Sequence, residues 1–380
     1  MLLGALAILP SFCDEVKIFT GLGGKTSTWN LEIPVIVNSF GWVFAVVFIG
    51  LLVTFLWFCK VNLTVKLIAS YIYAVSFLSA APYIAFNALL LLVPAIYLYL
   101  LVKHKCDKEI IINWAVAIFW FEVAIAIFQF FGKDTLINFD RPQSIFLGTV
   151  MQHMRSGSLF AILAPFLLLK NRLYIIPLVI VAFLVYSSSM ALALAAGAFV
   201  YFLLSKIKYK KWIILACIIF AVGHSFYNHK SFEVAFTCGR IPRWTQIINT
   251  GLGGIYHKGV LSFPDVNAGL LNSLKGFGLN HFNYLFPVLI EDPNPFAQCH
   301  NDWMQFFWEI GFIGLFITIF YYLSMLWKLY FNKKNVWIAG MVIIAVNMFF
   351  AFPTYMPPQT PLLMLVFFAL AEKEAHDVIE

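Results

Sequence analysis

Charge is what this chain has least of. Asp, Glu, Lys and Arg make up 11% of its 380 residues, where a soluble domain carries roughly a quarter. Polar surface on that scale cannot cover a water-soluble fold when 62% of the residues are hydrophobic and the mean hydropathy is +0.87. Cysteine is also sparse, with 6 residues, and no CxxC or HExxH spacing marks a metal site. No Asp-x-Asp pair stands in an external loop to hold a catalytic metal, and neither metal nor cofactor is expected. No internal repeat or low-complexity tract is evident, and no appended soluble domain is expected. The opening residues have no basic n-region and Ala-x-Ala cleavage chemistry is not evident, so a cleaved leader is not expected.

What is present is a series of long apolar runs. Stretches at 34–58, 62–81, 83–102, 110–131, 144–169, 173–187, 190–205, 212–227, 303–327, 336–352 and 359–371 approach the ~20 residues that a bilayer crossing requires. With the short apolar segment Met1–Phe12, they predict an all-α, polytopic integral membrane protein of about 11–12 transmembrane helices, a single membrane domain over 1–380.

The net charge of +7 does not indicate nucleic acid, because the basic residues are scattered and form no phosphate-tracking face. They follow a different rule. Lys60 and Lys66, then Lys103, Lys105 and Lys108, then Lys170 and Arg172 fall in alternate connections. Lys206, Lys208, Lys210 and Lys211 continue the series, and Lys328, Lys333 and Lys334 complete it. Basic loops stay in the cytoplasm, so the C-terminus is expected inside. The segment 228–302 is expected outside as one long loop, and loops of that length usually carry function. A Cys238–Cys299 bridge is one way such a loop would be closed.

The most informative stretch is His300-Asn301-Asp302-Trp303-Met304-Gln305-Phe306-Phe307-Trp308-Glu309-Ile310-Gly311-Phe312-Ile313-Gly314-Leu315, where a polar cluster enters an apolar helix. Asp302 and Gln305 have capping-box spacing, which predicts a helix from Trp303. His300 then precedes a helix N-terminus, where unpaired N–H groups favour an anion. Asn301, Gln305 and Glu309 share one helical face, expected to point to a polar interior because a carboxylate in lipid is costly. Gly311 and Gly314 are expected to allow close helix packing. A capped helix whose His and Glu merely satisfy neighbours is the competing reading.

Arginines supply the second signal. Arg240 and Arg243 flank Ile241-Pro242 beside Trp244 in the long loop. Guanidinium forks suit phosphate, although a surface pair meeting headgroups or water fits the pattern equally. Asp140-Arg141 stands at the edge of the span near 144–169, and Arg155 lies deeper. An arginine inside a span needs a partner or a wet cavity, and Glu122 is the expected partner. Purely structural pairing is the alternative.

The stretch His300–Leu315 resembles the O-antigen ligase and O-antigen polymerase superfamily of bacterial envelope glycosyltransferases. Three looser pieces occur in the order of that family: the Arg240-to-Trp244 element, the Gly276-Phe277-Gly278 segment, and Phe352-Pro353-Thr354-Tyr355-Met356-Pro357-Pro358. Asp140-Arg141 ahead of Gly148-Thr149 is similar to its earlier arginine region, and the resemblance covers roughly 110–371. It departs where many members carry an Arg near residue 190. Here Ser187-Ser188-Ser189 is followed by Met190.

The resemblance implies a GT-C-like membrane glycosyltransferase of the bacterial inner membrane with its site facing the periplasm. The donor would be a glycan on undecaprenyl diphosphate, and the acceptor lipid A–core or a second lipid-linked glycan. It further implies His300 as catalytic base and Arg240, Arg243, Arg155 and Arg141 as diphosphate ligands. Asn301, Gln305, Glu309 and Trp244 would support them. A chain-length regulator or flippase of the same pathway is the protein partner it implies. Two alternatives stand beside this: a protein O-oligosaccharyltransferase of the same superfamily, and a secondary transporter in which Arg155, Glu122 and Glu309 line a pathway.

Overall fold

The computed structural model describes 41–59, 61–79, 95–130, 153–185, 187–228, 244–245, 247–248, 270–279, 282, 299–351, 353–355 and 359–376. Among these residues the structure is helical, with no strand. The helices are α1 (Gly41–Phe58), α2 (Leu63–Phe77), α3 (95–105), α4 (Lys108–Phe130), α5 (His153–Lys170), α6 (Ile175–Leu184) and α7 (Ser188–Leu204). They continue with α8 (Lys210–Asn228), α9 (Leu270–Lys275), α10 (Asp302–Phe331), α11 (Asn335–Phe350) and α12 (Gln359–His376). The limits fall within a few residues of the apolar runs wherever both are defined.

Among the described residues two helices, Lys108–Gln129 and Asp302–Phe331, are long and apolar enough to cross a membrane by themselves. The other apolar helices are shorter, such as Leu63–Phe77 and Asn335–Phe350. A 15-residue helix spans roughly 23 Å at 1.5 Å per residue, less than the ~30 Å hydrocarbon thickness. Polar caps set several of the starts. Asn62 accepts from the Thr64 N–H at 2.9 Å, Asp107 from Glu109 at 2.9 Å, and Ser187 from Met190 at 3.4 Å. Each satisfies an N–H that the first helical turn leaves without a partner.

The chain forms two compact units. The first draws on Tyr99–Gly239 and Met325–Glu380. Its centre is α7 against α11, built on small residues. A Cβ at Gly197 would run into the Ile343 side chain, so the backbones approach as only glycine allows. Helix α5 packs on the same partner, with Pro165 and Phe367 both pressed against Gly340. Glu109 meets Lys170 at 3.5 Å, and the Phe119 and Phe160 rings lie 5.7 Å apart. As α4 advances, α5 therefore runs back along it. That register puts Glu122, buried at 3% exposure, level with Gly157. Gly157 in turn packs directly on Ser187. Ser158 donates to the Asn347 carboxamide oxygen at 3.4 Å nearby on α5 and α11.

One end of this unit is tied by charge. Glu372, fully buried, accepts from the Tyr99 hydroxyl and from the Lys103 ammonium. Glu374 takes Lys108 at 2.5 Å and Lys334 at 2.7 Å. Asn332 closes the group by donating to the Ala375 carbonyl at 2.9 Å. Burial pushes the Glu374 carboxyl upward, but the hydrogen bonds and charges of Lys108 and Lys334 outweigh it and hold the group below its ordinary value.

The second unit draws on Ser27–Leu98 and Arg240–Ser324. Helices α1 and α2 form a hairpin in which Trp57 Nε1 donates to Ser70 Oγ at 3.0 Å. Lys66 Nζ donates to the Trp57 carbonyl at 2.9 Å, placing a cation where the α1 dipole ends.

Candidate functional site

The second unit contains the stretch from His300 to Leu315, and its geometry begins with a broken helix. Gly311, inside α10, has φ 66° and ψ −175°, a region open essentially to glycine alone. The glycine expected to ease helix packing instead ends one helical segment and starts another. Sequence spacing cannot show this, because packing and breaking glycines look alike until φ is known. Gly314 is helical, and a Cβ there would first meet the side chain of Ile310 in its own helix.

A break of this kind leaves carbonyls of the preceding turn without their helical donors. The segment Gly276-Phe277-Gly278 supplies replacements. The Phe277 N–H donates to the Trp308 carbonyl at 3.1 Å, and the Gly278 N–H donates to the Glu309 carbonyl at 2.9 Å. Gly276 and Gly278 both have positive φ, at 84° and 113°, which lets the backbone turn into the gap. A Cβ on Gly276 would strike the Glu309 carbonyl, and one on Gly311 would strike that of Leu274. Two glycines thus let two backbones touch.

Three sequence pieces that are far apart in the chain meet here. Trp244, Ile247, Phe277, Phe282, Cys299 and Trp308 form one buried apolar cluster with Met304 against it. Phe277 stacks on Trp308 with centroids 4.2 Å apart, and Phe282 meets the same indole edge-on at 5.5 Å. Cys299 is buried in this cluster, and Cys238, the other half of the bridge considered above, lies outside the described residues. The apolar neighbours of Cys299 account for its burial.

On this platform the polar face is laid out. His300 adopts φ 56°, the left-handed turn that hands the chain into the helix. The cap is Asn301, one residue ahead of the expected position. Its Oδ1 accepts from the Met304 N–H at 3.1 Å, and its carbonyl accepts from the Gln305 N–H at 3.0 Å. Helix α10 accordingly starts at Asp302 rather than Trp303. Asn caps as well as Asp, and the His300 turn decides between them. Gln305 Oε1 accepts from the Cys299 N–H at 3.3 Å, and its Nε2 donates to Glu309 Oε1 at 3.1 Å. Asn301, Asp302, Gln305 and Glu309 are all fully buried.

The Asn301 carboxamide oxygen is committed to the cap, while its buried Nδ2 hydrogen-bonds to nothing among the described residues. A buried donor in that state costs ~1–3 kcal/mol, which an oxygen-bearing ligand would offset. His300 beside it is only partly covered.

Arg240, Arg243 and Arg141 lie outside the described residues, as do Gly148-Thr149. Arg155 falls in the first turn of α5, and its side chain is likewise outside what is described. Met190 is fully buried in the first turn of α7 beneath the Ser187 cap.

Sequence reasoning passed over the support of this site. The pairing of Gly276-Phe277-Gly278 with the Glu309-to-Gly311 break was signalled only by two separate glycine motifs. The Ser158–Asn347 bond and the cluster around Glu372 and Glu374 had no local signal, since their partners are distant in the chain. No family model, curated protein or solved structure matches this chain.

Proposed function

We propose that the protein is a multi-pass membrane glycosyltransferase that moves an oligosaccharide or polysaccharide from undecaprenyl diphosphate to an acceptor hydroxyl. The observation that carries this reading is the meeting of His300, the Gly276-Phe277-Gly278 segment and Trp244 around the broken helix. These are the pieces that bear the resemblance, and nothing in their sequence spacing requires them to touch.

A bilayer is supported by the exposed faces. Phe312, Phe316, Phe320, Leu323, Trp327 and Phe331 of α10 are all exposed, an apolar stripe that a soluble monomer would not leave open. From Phe312 to Phe331 the helix is roughly 30 Å long at 1.5 Å per residue. Non-helical backbone at membrane depth is tolerated only when its polar groups are satisfied by protein, and the glycine segment does this at Gly311. The resemblance implies the bacterial inner membrane, and the basic connections are taken as its cytoplasmic side. The long loop and His300 then face the periplasm, and the C-terminus faces the cytoplasm.

In the reaction, an imidazole nitrogen of His300 takes the proton from the acceptor hydroxyl. The acceptor oxygen forms a bond to the anomeric carbon of the glycan. The bond from that carbon to the diphosphate breaks, and its electron pair leaves with undecaprenyl diphosphate. Arg240, with Arg243, Arg155 or Arg141, stabilises the charge that develops on the leaving group. Asn301 Nδ2 donates to a substrate oxygen, and Gln305 and Glu309 hold the helix start on which His300 turns. The acceptor is lipid A–core or a second lipid-linked glycan. Transfer to a protein hydroxyl differs only in the acceptor.

The discontinuous α10 also favours a second reading, a secondary transporter, because broken helices line many transport sites. Transporters of that kind pair their breaks between related halves. Among the described residues no second helix is broken in this way.

The test is transfer in nanodiscs with lipid-diphosphate-linked oligosaccharide and three acceptors: lipid A–core, a second lipid-linked unit and a Ser-rich peptide. Glycan mass on one acceptor, lost in His300→Ala, supports the transferase and selects its branch. Absence of product on all three, with substrate uptake into proteoliposomes, would replace it with transport.

A further inference from the structure

The resemblance begins near residue 110, yet a residue far upstream reaches the broken helix. Tyr71, on α2, donates its hydroxyl toward the Lys275 carbonyl at 3.2 Å and the Leu274 carbonyl at 3.4 Å. The Gly314 backbone lies against the same hydroxyl. Lys275 answers in the other direction, its ammonium donating to the Leu78 carbonyl at 3.2 Å. Leu78 is the C-cap of α2, where a cation complements the helix dipole. Helix α2 and the end of α9 are therefore clasped twice.

The position of this clasp gives it meaning. Leu274 and Lys275 immediately precede Gly276, and the Leu274 carbonyl is the atom that Gly311 packs against. Two residues further on, the Phe277 and Gly278 N–H groups satisfy Trp308 and Glu309. The chain of bonds then runs from Glu309 to Gln305, and from Gln305 to the Cys299 N–H beside His300. One phenol thus holds the strut that fills the helix break, and the break fixes where the polar face stands.

We infer that Tyr71 is a positioning residue for His300, acting through the Gly276-Phe277-Gly278 strut and not by touching substrate. The role rests on the transferase reading for its catalytic consequence, but the strut itself can be read without any reaction. Removing the hydroxyl leaves the Leu274 and Lys275 carbonyls without that donor and loosens the strut. The first segment of α10 then tilts by a fraction of an ångström to an ångström. Misplacement on that scale costs up to about a hundredfold in rate while leaving donor binding intact.

Tyr71→Phe in nanodiscs tests this with two readouts. Amide exchange at Phe277 and Gly278 is expected to speed up at least about tenfold. Turnover is expected to fall about tenfold to a hundredfold, with the KM for lipid-linked donor within about twofold of wild type. Ser70→Ala is the control, because it removes a hydrogen bond of the same helix that faces Trp57 and not the strut. It should leave exchange and turnover unchanged. Unaltered exchange in Tyr71→Phe overturns the strut. Faster exchange with wild-type turnover, in a protein whose His300→Ala variant is inactive, overturns the positioning role alone. Wild-type protein inactive on every acceptor overturns the transferase reading, and with it any catalytic role for Tyr71.

Discussion

Two buried carboxylate groups in this chain are built on opposite principles. Glu372 and Glu374 take ammonium groups from other parts of the chain: Lys103 for the first, Lys108 and Lys334 for the second. Glu309 accepts from the Gln305 amide one turn back in its own helix. The first arrangement fastens segments that are distant in sequence, so its value is mechanical. The second, through Gln305 and the Cys299 N–H, fastens the turn at His300 to the start of its own helix. Its value lies in keeping one face polar beside His300. Burial alone does not mark a functional site, since both groups are buried. What separates them is whether the partners tie the fold together or leave donors such as Asn301 Nδ2 for something else.

Substitutions can widen or erase that difference, and the largest effect is expected at His300. Replacement by Ala should lower transfer at least about a hundredfold, the usual range for a lost general base. The thermal midpoint should stay close to wild type. A comparable loss of stability would move His300 to the mechanical side.

Next comes Gly311→Ala, which forces a glycine-only conformation and drives a Cβ into the Leu274 carbonyl. It should cost about 3 kcal/mol or more of stability, at the top of the range for backbone strain. Gly314→Ala also crowds a neighbour, the Ile310 Cβ at 2.7 Å, but it keeps a helical backbone and strikes no carbonyl, so it should cost less. Equal melting shifts for the two would mean that the break is not a fixed feature.

Glu372→Ala strands Lys103 in a largely buried setting and should destabilise by about 3 kcal/mol, with per-molecule activity of the folded fraction unchanged. At Glu374 the effect is smaller and depends on pH. Its folded carboxyl is held below the unfolded value, so its contribution is present above the ordinary carboxylate range. That contribution is lost as pH falls through the depressed folded value. Glu374→Gln should therefore flatten the acid limb of a stability profile and leave the neutral plateau nearly parallel to wild type. The smallest effect is Gly223→Ala. A methyl added at that position in α8 would meet nothing within 4 Å, and exchanging a helical Gly for Ala should be neutral or stabilising by up to about 1 kcal/mol.

The same contrast explains what the sequence revealed. Apolar runs located the helices because a long apolar segment is a signal of composition and length alone. The face of Asn301, Gln305 and Glu309 was legible because helical spacing is local, and all three are indeed fully buried. The cap was misplaced by one residue because Asn301 and Asp302 are equally able to cap, and the positive φ of His300 settles the matter. Gly311 was visible as glycine but not as a break. Lys103 and Glu372 could not be paired from sequence, since nothing local to either names the other. Long-range contacts such as Tyr71 to Lys275 were hidden for the same reason.

The most direct measurement is the release of undecaprenyl diphosphate from a lipid-linked oligosaccharide by purified wild type and by His300→Ala, with EDTA throughout and acceptor present. Acceptor-dependent release by wild type, absent in the folded variant, is the predicted result. Equal release by the two proteins would contradict the account, because the polar face at the helix break would then not be the site of the reaction.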